Sequence, residues 1–234
     1  MKIKRSWMEL VLVGSLGLGS IGFGSAKAEE LRIERPSRWI GQVDQTTGRF
    51  GWPGSGFEIV FTGRNLTVTL IDSGLNSLVV ETDGETRRVD LLEGRNDYVL
   101  AEADSTRLQK VRVLRRTEGL FGETQFIAAK ADGRIERSNA STRALVVLGD
   151  SISAGYGIEG FDRTCSFSPD TENQYLTYAA RAARALGADV TTLAVSGRGL
   201  VRNYDGGSDE TMSEIYLRAL PTLPAPTNDH ILER

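Results

Sequence analysis

The chain has 234 residues, of which 40% are hydrophobic and 25% are charged, which is typical of a soluble globular protein with one large domain or two modest ones. Its formal net charge of −3 favours neither a nucleic-acid partner nor an anionic membrane surface. With a single cysteine, Cys165, no intrachain disulfide is possible, and we expect this residue to be a small buried apolar side chain.

The first 28 residues have the three parts of a secretory signal peptide. Lys2, Lys4 and Arg5 precede an uncharged stretch rich in glycine and leucine, and Ala26-Lys27-Ala28 has the small-x-small pattern of a cleavage site. The apolar stretch is too short and too rich in glycine to span a bilayer well. We therefore expect a secreted or periplasmic protein that is not inserted in the membrane after signal cleavage.

Residues 29–140 show short alternating strands separated by turn residues, a pattern typical of a β sandwich or jelly roll. Phe57–Phe61 and Asn65–Ile71 alternate on either side of a predicted turn at Thr62–Arg64. Asp83-Gly84 between two further strands predicts a β hairpin.

Two arginine pairs, Arg87-Arg88 and Arg115-Arg116, lie in charge-mixed segments of this region and are interpreted as solvated faces. Trp39 and Trp52 are more simply explained as core residues than as a platform for sugar stacking.

Residues 141–234 have a different pattern. An apolar strand, Ala144–Leu148, is followed by a predicted helix over 172–186, a second strand over Asp189–Val195 and a predicted helix over 211–220. This β-α-β-α order is the beginning of a doubly wound parallel sheet, but an incomplete one, because only two strands are visible. We expect apolar surface around Leu145, Val147 and Val195 to be partly uncovered.

The chemistry is concentrated at the end of the first of these strands, in Gly149-Asp150-Ser151. Ligands of open α/β sheets bind just beyond the carboxyl ends of the strands, so Ser151 is a candidate nucleophile. The motif is not the G-x-S-x-G elbow, since its fifth residue is Ser153. We assign Asp150 to hydrogen bonding within the loop.

Gly-Asp-Ser after a first parallel strand resembles the first block of the SGNH (GDSL-like) hydrolases, and Ser196-Gly197-Arg198-Gly199 resembles the second. Within that group the chain is similar to the acetylesterases of carbohydrate esterase family 2, on the segments 155–157, 165–168, 171–173, 178–180 and 196–206.

This resemblance implies an N-terminal β jelly roll (29–140) packed on an SGNH hydrolase domain (141–234), and a carbohydrate O-acetylesterase acting on acetylated, xylan-like substrates. It also implies that Ser151 is the nucleophile, that Gly197 is an oxyanion-hole donor, and that no metal or organic cofactor takes part. Tyr156 and Tyr204 lie near the expected crevice and could border a sugar subsite.

The family's remaining blocks are not recognisable. Thr227-Asn228-Asp229 is only a partial echo of an asparagine block, and the single histidine, His230, lacks the family's context. The sequence is therefore expected to be a truncated member. Two alternatives stay open: a catalytically inactive fragment that acts as a carbohydrate-binding β module, and an SGNH lipase or thioesterase.

Overall fold

The computed structural model describes residues 31–223, which form two sheets and a few short helices. The expected signal peptide (1–28), Thr227–Asp229 and His230 lie outside the described residues. No helix within residues 31–223 has the length and apolar character needed to cross a membrane.

The strands within this range are β1 (Leu31–Ile33), β2 (Arg38–Ile40), β3 (Arg49–Phe50), β4 (Gly56–Asp72), β5 (Ser77–Thr82), β6 (Glu85–Asp90), β7 (Gly94–Arg115), β8 (Thr124–Ala131), β9 (Arg134–Glu136), β10 (Ala144–Gly149) and β11 (Asp189–Ala194). The α-helices are α1 (Ser151–Ala154), α2 (Tyr178–Leu186) and α3 (Met212–Ile215), and 3₁₀ turns lie at Gly119–Phe121 and Gln174–Leu176.

Strands β1 to β9 form one antiparallel sheet with β4 at its centre. The first half of β4 pairs with β2, β9 and the end of β7, whereas its second half pairs with β8 and the beginning of β7. Because β4 exchanges partners along its length, a single strand connects two groups of strands around one core.

The predicted turn at Thr62–Arg64 is wrong, because β4 runs through these residues with a register shift between Gly63 and Asn65. The main-chain N–H groups of Arg64 and Asn65 donate to the carboxylate of Asp132, at 2.8 and 2.9 Å. This side chain replaces ladder hydrogen bonds where the register slips, so the strand continues through a bulge.

The predicted hairpin at Asp83-Gly84 is confirmed. β5 and β6 pair antiparallel from Ser77↔Asp90 to Thr82↔Glu85, and both loop residues have positive φ, at 55° and 83°. Two consecutive left-handed residues match the twist of a two-residue hairpin, and Gly at the second position adopts this conformation without steric cost.

The core of this sheet is aromatic at one end. Phe57 and Phe126 meet edge-on with ring centroids 4.9 Å apart, and Trp39 packs edge-on against both at 6.4 and 5.7 Å. Trp39 is therefore a core residue. Trp52 is fully buried, but in a separate cluster described below.

The second sheet is the parallel pair of β10 and β11, with six residue pairs from Ala144↔Asp189 to Gly149↔Ala194. The helix predicted over 172–186 is shorter than expected: α2 begins only at Tyr178, because the Thr177 hydroxyl caps it by accepting from Ala180 N at 3.3 Å. The helix predicted over 211–220 is reduced to the four residues of α3.

The two sheets meet through a small apolar cluster. Trp52 packs with Val195 and, in the same cluster, with Leu193, Met212 and Ile215. Val195 is therefore buried, contrary to expectation, whereas Leu145 and Val147 are half-buried. Val146 and Leu148, which point to the alternate face of β10, are more exposed still.

Charged groups also cross between the sheets. The guanidinium of Arg38 donates to Glu58 at 3.0 Å and to Asp189 of β11 at 2.9 Å. Glu58 is buried, and its carboxylate also accepts from Ser138. Buried ion pairs need such additional hydrogen bonds, because burial removes each charge from water.

Candidate active site

Ser151 and Gly197 follow two neighbouring strands at the same edge of the parallel sheet. Gly149, the last residue of β10, lies opposite Ala194, the last residue of β11. Ser151 comes two residues after Gly149, and Gly197 comes three residues after Ala194. The carboxyl ends of both strands therefore place the two residues predicted from the sequence at the same edge of the sheet, where ligands of such sheets bind.

Ser151 is the first residue of α1 and is half-buried. Asp150 caps this helix, since its Oδ1 accepts from Ile152 N at 3.1 Å, which confirms the loop role assigned to it. A Cβ at Gly149 would lie 2.2 Å from the Ser153 hydroxyl oxygen, so the tight exit from the strand requires glycine.

Gly197 lies in a tight turn closed by Arg198 N, which donates to Val195 O at 3.2 Å. Its φ of +78° is in the left-handed region, and its carbonyl accepts from Tyr204 N at 2.9 Å. It is exposed, and the nearest atom to a Cβ built there is the Tyr204 Cβ at 3.9 Å. The turn requires glycine for its backbone angle and not for lack of space.

The main-chain N–H groups of Ser151 and Gly197 donate to no acceptor within residues 31–223, and the Ser151 hydroxyl also makes no hydrogen bond there. Unpaired donors at the end of a sheet can bind an oxyanion. These two N–H groups and the free hydroxyl of Ser151 are the chemical feature of this edge of the sheet.

A buried carboxylate from the β-rich part of the chain binds the residue before Gly197, and the sequence did not reveal it. Glu118 follows β7 and is fully buried. Its Oε2 accepts from Ser196 N at 2.6 Å, and its Oε1 accepts from the Ser196 hydroxyl. Burial raises the pKa of Glu118, while the hydrogen bonds from Ser196 oppose that shift.

A second buried carboxyl group lies behind the first. Oε1 of Glu172 accepts from the main-chain N–H of Glu118 at 3.2 Å, and its Oε2 makes no hydrogen bond to the described residues. Burial, followed by the nearby charge of Glu118, raises the pKa of Glu172 to about 9. Glu172 is therefore protonated and neutral at pH 7.

The interpretation of Arg115 and Arg116 as solvated residues is wrong, because both are buried. The Arg115 guanidinium donates to the carbonyls of Thr117, Glu118 and Gly122 and to the side chains of Asn76 and Thr124. Burial lowers its pKa to about 10. Five hydrogen-bond partners compensate for the loss of water. Two consecutive arginines in a sequence do not reveal such partners.

Aromatic side chains lie along the segments that follow the two strands. Tyr204 is 96% exposed, and Tyr156 stacks on Phe167 with centroids 4.2 Å apart and planes at 8°. Cys165, which we expected to be buried, is exposed, because it lies in a loop between α1 and α2 and not in the core. Residues 31–223 contain no group of three acidic, histidine or cysteine side chains placed to hold a metal ion.

Comparison with known proteins identifies relatives of both parts of the chain. Residues 39–139 match the family model described as carbohydrate esterase 2 N-terminal. The chain is 32% identical over 190 residues to the cellulase/esterase CelE of Acetivibrio thermocellus, which covers 76% of this chain and 22% of the relative. It is 30% identical over 175 residues to an acetylxylan esterase/glucomannan deacetylase of Cellvibrio japonicus, with coverage of 71% and 47%.

Among solved structures, the chain is similar to a family two carbohydrate esterase from Clostridium thermocellum in complex with cellohexaose. The identity is 28% and the TM-score is 0.72, over 81% of this chain and 59% of that one. The chain spans less than half the length of CelE and of the acetylxylan esterase/glucomannan deacetylase. It is a relative of the family 2 carbohydrate esterases, and its residues 39–139 match the N-terminal region of that family.

Proposed function

We propose that this chain is a carbohydrate O-acetylesterase that removes acetyl groups from xylan-like polysaccharides or oligosaccharides by serine nucleophilic catalysis. The observation that carries the proposal is that the unpaired N–H groups of Ser151 and Gly197 and the free hydroxyl of Ser151 lie at the same edge of the parallel sheet. The similarity to acetylxylan esterases supports an acetylated carbohydrate as the substrate.

In this mechanism the Ser151 oxygen attacks the acetyl carbonyl carbon, and the carbonyl oxygen becomes an oxyanion. The N–H groups of Ser151 and Gly197 stabilise that charge, which exists fully only in the tetrahedral intermediate. The bond from the acetyl carbon to the sugar oxygen then breaks, and the sugar leaves as an alcohol after taking up a proton. Water releases acetate from the acetyl-serine and restores the hydroxyl.

A base has to accept the proton of the Ser151 hydroxyl, because an unactivated serine is a weak nucleophile. Asp150 does not fill this role, since its carboxylate caps α1 through Ile152 N. The only histidine of the sequence, His230, lies outside the described residues.

The similarity to the family 2 carbohydrate esterases supports a two-domain organisation. We propose a jelly-roll domain over 29–140 and an SGNH hydrolase domain over 141–234, in a protein that is secreted or periplasmic after removal of 1–28. A fragment of residues 29–140 is expected to be soluble and to give a β-type circular-dichroism spectrum. A helical spectrum would contradict this division.

The proposal is tested with the purified full chain by following 4-nitrophenyl acetate hydrolysis and acetate release from acetylated xylan. Ser151→Ala is expected to lower turnover, because it removes the hydroxyl that attacks the acetyl carbon. Ser153→Ala is the matched control, because Ser153 lies on the same helix but its hydroxyl is bonded to Tyr178. Equal turnover in the parent chain and Ser151→Ala would exclude Ser151 as the nucleophile.

A non-catalytic binding role is the second candidate, favoured by the solved relative that holds cellohexaose. The Ser151→Ala chain, titrated with cellohexaose in a calorimeter, separates the two functions. If the parent chain has no hydrolytic activity and the Ser151→Ala chain still binds cellohexaose, the protein is a carbohydrate-binding protein.

A further inference from the structure

Glu118 connects the β-rich sheet to the turn that carries Gly197. Its two carboxylate oxygens accept separately from the main-chain N–H and the hydroxyl of Ser196, which lies 78 residues later in the chain. Ser196 directly precedes Gly197. Both donors of one residue are therefore held by one side chain that comes from a different sheet.

The main chain of Glu118 is itself fixed on both sides. Its main-chain carbonyl accepts from the guanidinium of Arg115 at 3.0 Å, and its main-chain N–H donates to Glu172 at 3.2 Å. The same guanidinium binds Thr117 O at 2.8 Å. The segment leading out of β7 is thus held on both sides, and every member of this group is buried.

Within residues 31–223, the other hydrogen bonds of the Gly197 turn do not involve Ser196. Gly197 is exposed, the turn is closed by the bond from Arg198 N to Val195 O at 3.2 Å, and the Gly197 carbonyl accepts from Tyr204 N at 2.9 Å. The N–H of Gly197 belongs to the peptide unit that begins at the Ser196 carbonyl. When the N–H and the hydroxyl of Ser196 are fixed, the direction of the Gly197 N–H depends on only one remaining main-chain rotation, ψ of Ser196.

We infer that Glu118 is a positioning residue, which holds Ser196 so that the Gly197 N–H points at the oxyanion of the reaction. The inference rests on the proposed function for its catalytic consequence. An oxyanion donor works because its direction is set before the reaction begins, and a misplacement of about 1 Å can cost about 10²-fold in rate. The β-rich sheet thereby contributes to catalysis without touching the substrate.

The first test measures hydrogen exchange of the Arg198 amide in the full chain. This N–H is not bonded to Glu118, so its exchange reports opening of the turn and not the loss of a direct contact. We expect Glu118→Ala to speed exchange by about 10- to 100-fold, since hydrogen bonds to a charged group are being removed. Glu118→Gln should stay close to the parent rate, because an amide can accept from Ser196 N and donate to its hydroxyl.

The matched control is Glu81→Gln. Glu81 also reaches from the β-rich sheet to the other part of the chain, where its carboxylate accepts from the Tyr175 hydroxyl at 3.2 Å. It should leave the exchange of Arg198 unchanged. If Glu118→Ala does not fold, Ser196→Ala removes one of the two contacts and should speed exchange by about threefold or more. An unchanged Arg198 rate in the folded variant would overturn the inference, whatever the activity of the chain.

The second test is kinetic. For ester hydrolysis, Glu118→Ala should lower kcat by about 10- to 100-fold with little change in KM, and Glu118→Gln should restore most of the rate. Titration of Ser151 with a fluorophosphonate should give the same final stoichiometry in all variants but slower labelling in Glu118→Ala. A stoichiometry that falls in parallel with kcat would show a purely structural role and overturn the inference.

The two proposals fail in different ways. Turnover that survives Ser151→Ala contradicts the proposed function. Turnover that requires Ser151 but is equal in the parent chain and Glu118→Ala contradicts only the positioning role.

Discussion

The indole N–H of Trp52 donates to the main-chain carbonyl of Arg218 at 2.9 Å. Trp52 lies in the β-rich part of the chain, whereas Arg218 follows α3. The ring of Trp52 is fully buried against Val195, just before the Ser196–Gly197 turn. This single side chain therefore provides apolar packing between the two sheets and also hydrogen-bonds a main-chain carbonyl at the edge of that contact.

Trp52→Ala is expected to lower the free energy of unfolding by about 3–5 kcal/mol, because it leaves a large cavity between the sheets. Trp52→Phe should cost clearly less, since most of the ring volume remains and Arg218 O still accepts from the Gln42 side chain at 3.4 Å. Urea unfolding of the full chain measures both values. Equal losses in the two variants would show that the hydrogen bond, and not packing, dominates.

Gly197→Ala is expected to cost about 1–2 kcal/mol of stability, because an L-residue is strained at a φ of +78°. Gly84→Ala is its matched control: its φ is +83° and nothing lies within 4 Å of the added Cβ. Both variants should lose similar stability in thermal unfolding, but only Gly197→Ala should lower ester hydrolysis, by about 10- to 100-fold. Similar hydrolysis rates in the two would argue against Gly197 as an oxyanion donor.

Glu172→Gln is expected to stabilise the protein at alkaline pH. The folded state holds the pKa of this carboxyl at about 9, whereas the unfolded chain releases the proton near pH 4.3. Between these values the unfolded state binds fewer protons, so the stability of the parent falls as pH rises. The amide variant has no such proton to lose.

The measurement for Glu172 is the melting temperature as a function of pH. The difference between Glu172→Gln and the parent should grow from pH 5 to pH 8 and reach at least about 2–4 °C, which corresponds to about 1 kcal/mol in a chain of this size. Parallel curves for the two proteins would mean that Glu172 is ionised in the folded state.

His230→Ala is expected to leave the ester hydrolysis of the 234-residue chain unchanged, and that hydrolysis is expected to be slow. Without a base, oxyanion donors and binding alone leave about 10³–10⁴-fold catalysis over water in a well-studied serine protease. Initial rates with 4-nitrophenyl acetate compare the parent, Ser151→Ala and His230→Ala. Rapid turnover that both substitutions abolish would establish His230 as the working base.

The parts of the fold that could be predicted are those determined by neighbouring residues. Asp83-Gly84 specifies its turn locally, and the apolar runs before Ser151 and Gly197 specify two parallel strands, which place both residues at one edge. The continuity of β4 could not be predicted, because Gly63 and its polar neighbours resemble a turn. The group that keeps the strand continuous, Asp132, is 68 residues from Arg64.

The burial of Glu118 could not be predicted either, because its partners are also distant in sequence. Charged residues after a strand are normally solvated, and only partners that are distant in sequence make their burial possible. Asn76 lies 39 residues from Arg115, and Ser196 lies 78 residues from Glu118. No periodicity or local motif reports such pairs.

The long central strand β4 also bears on the order in which the protein forms. Synthesis proceeds from the N terminus, so residues 31–136, which contain every strand of the antiparallel sheet, are made before β11 and Ser196. Trp52 and Glu118 are then presented to water on a sheet whose own pairings are already available. We expect the later parallel strands to pack against this sheet, since the contacts of Trp52 with Val195 and of Glu118 with Ser196 can form only after residues 195 and 196 have been made.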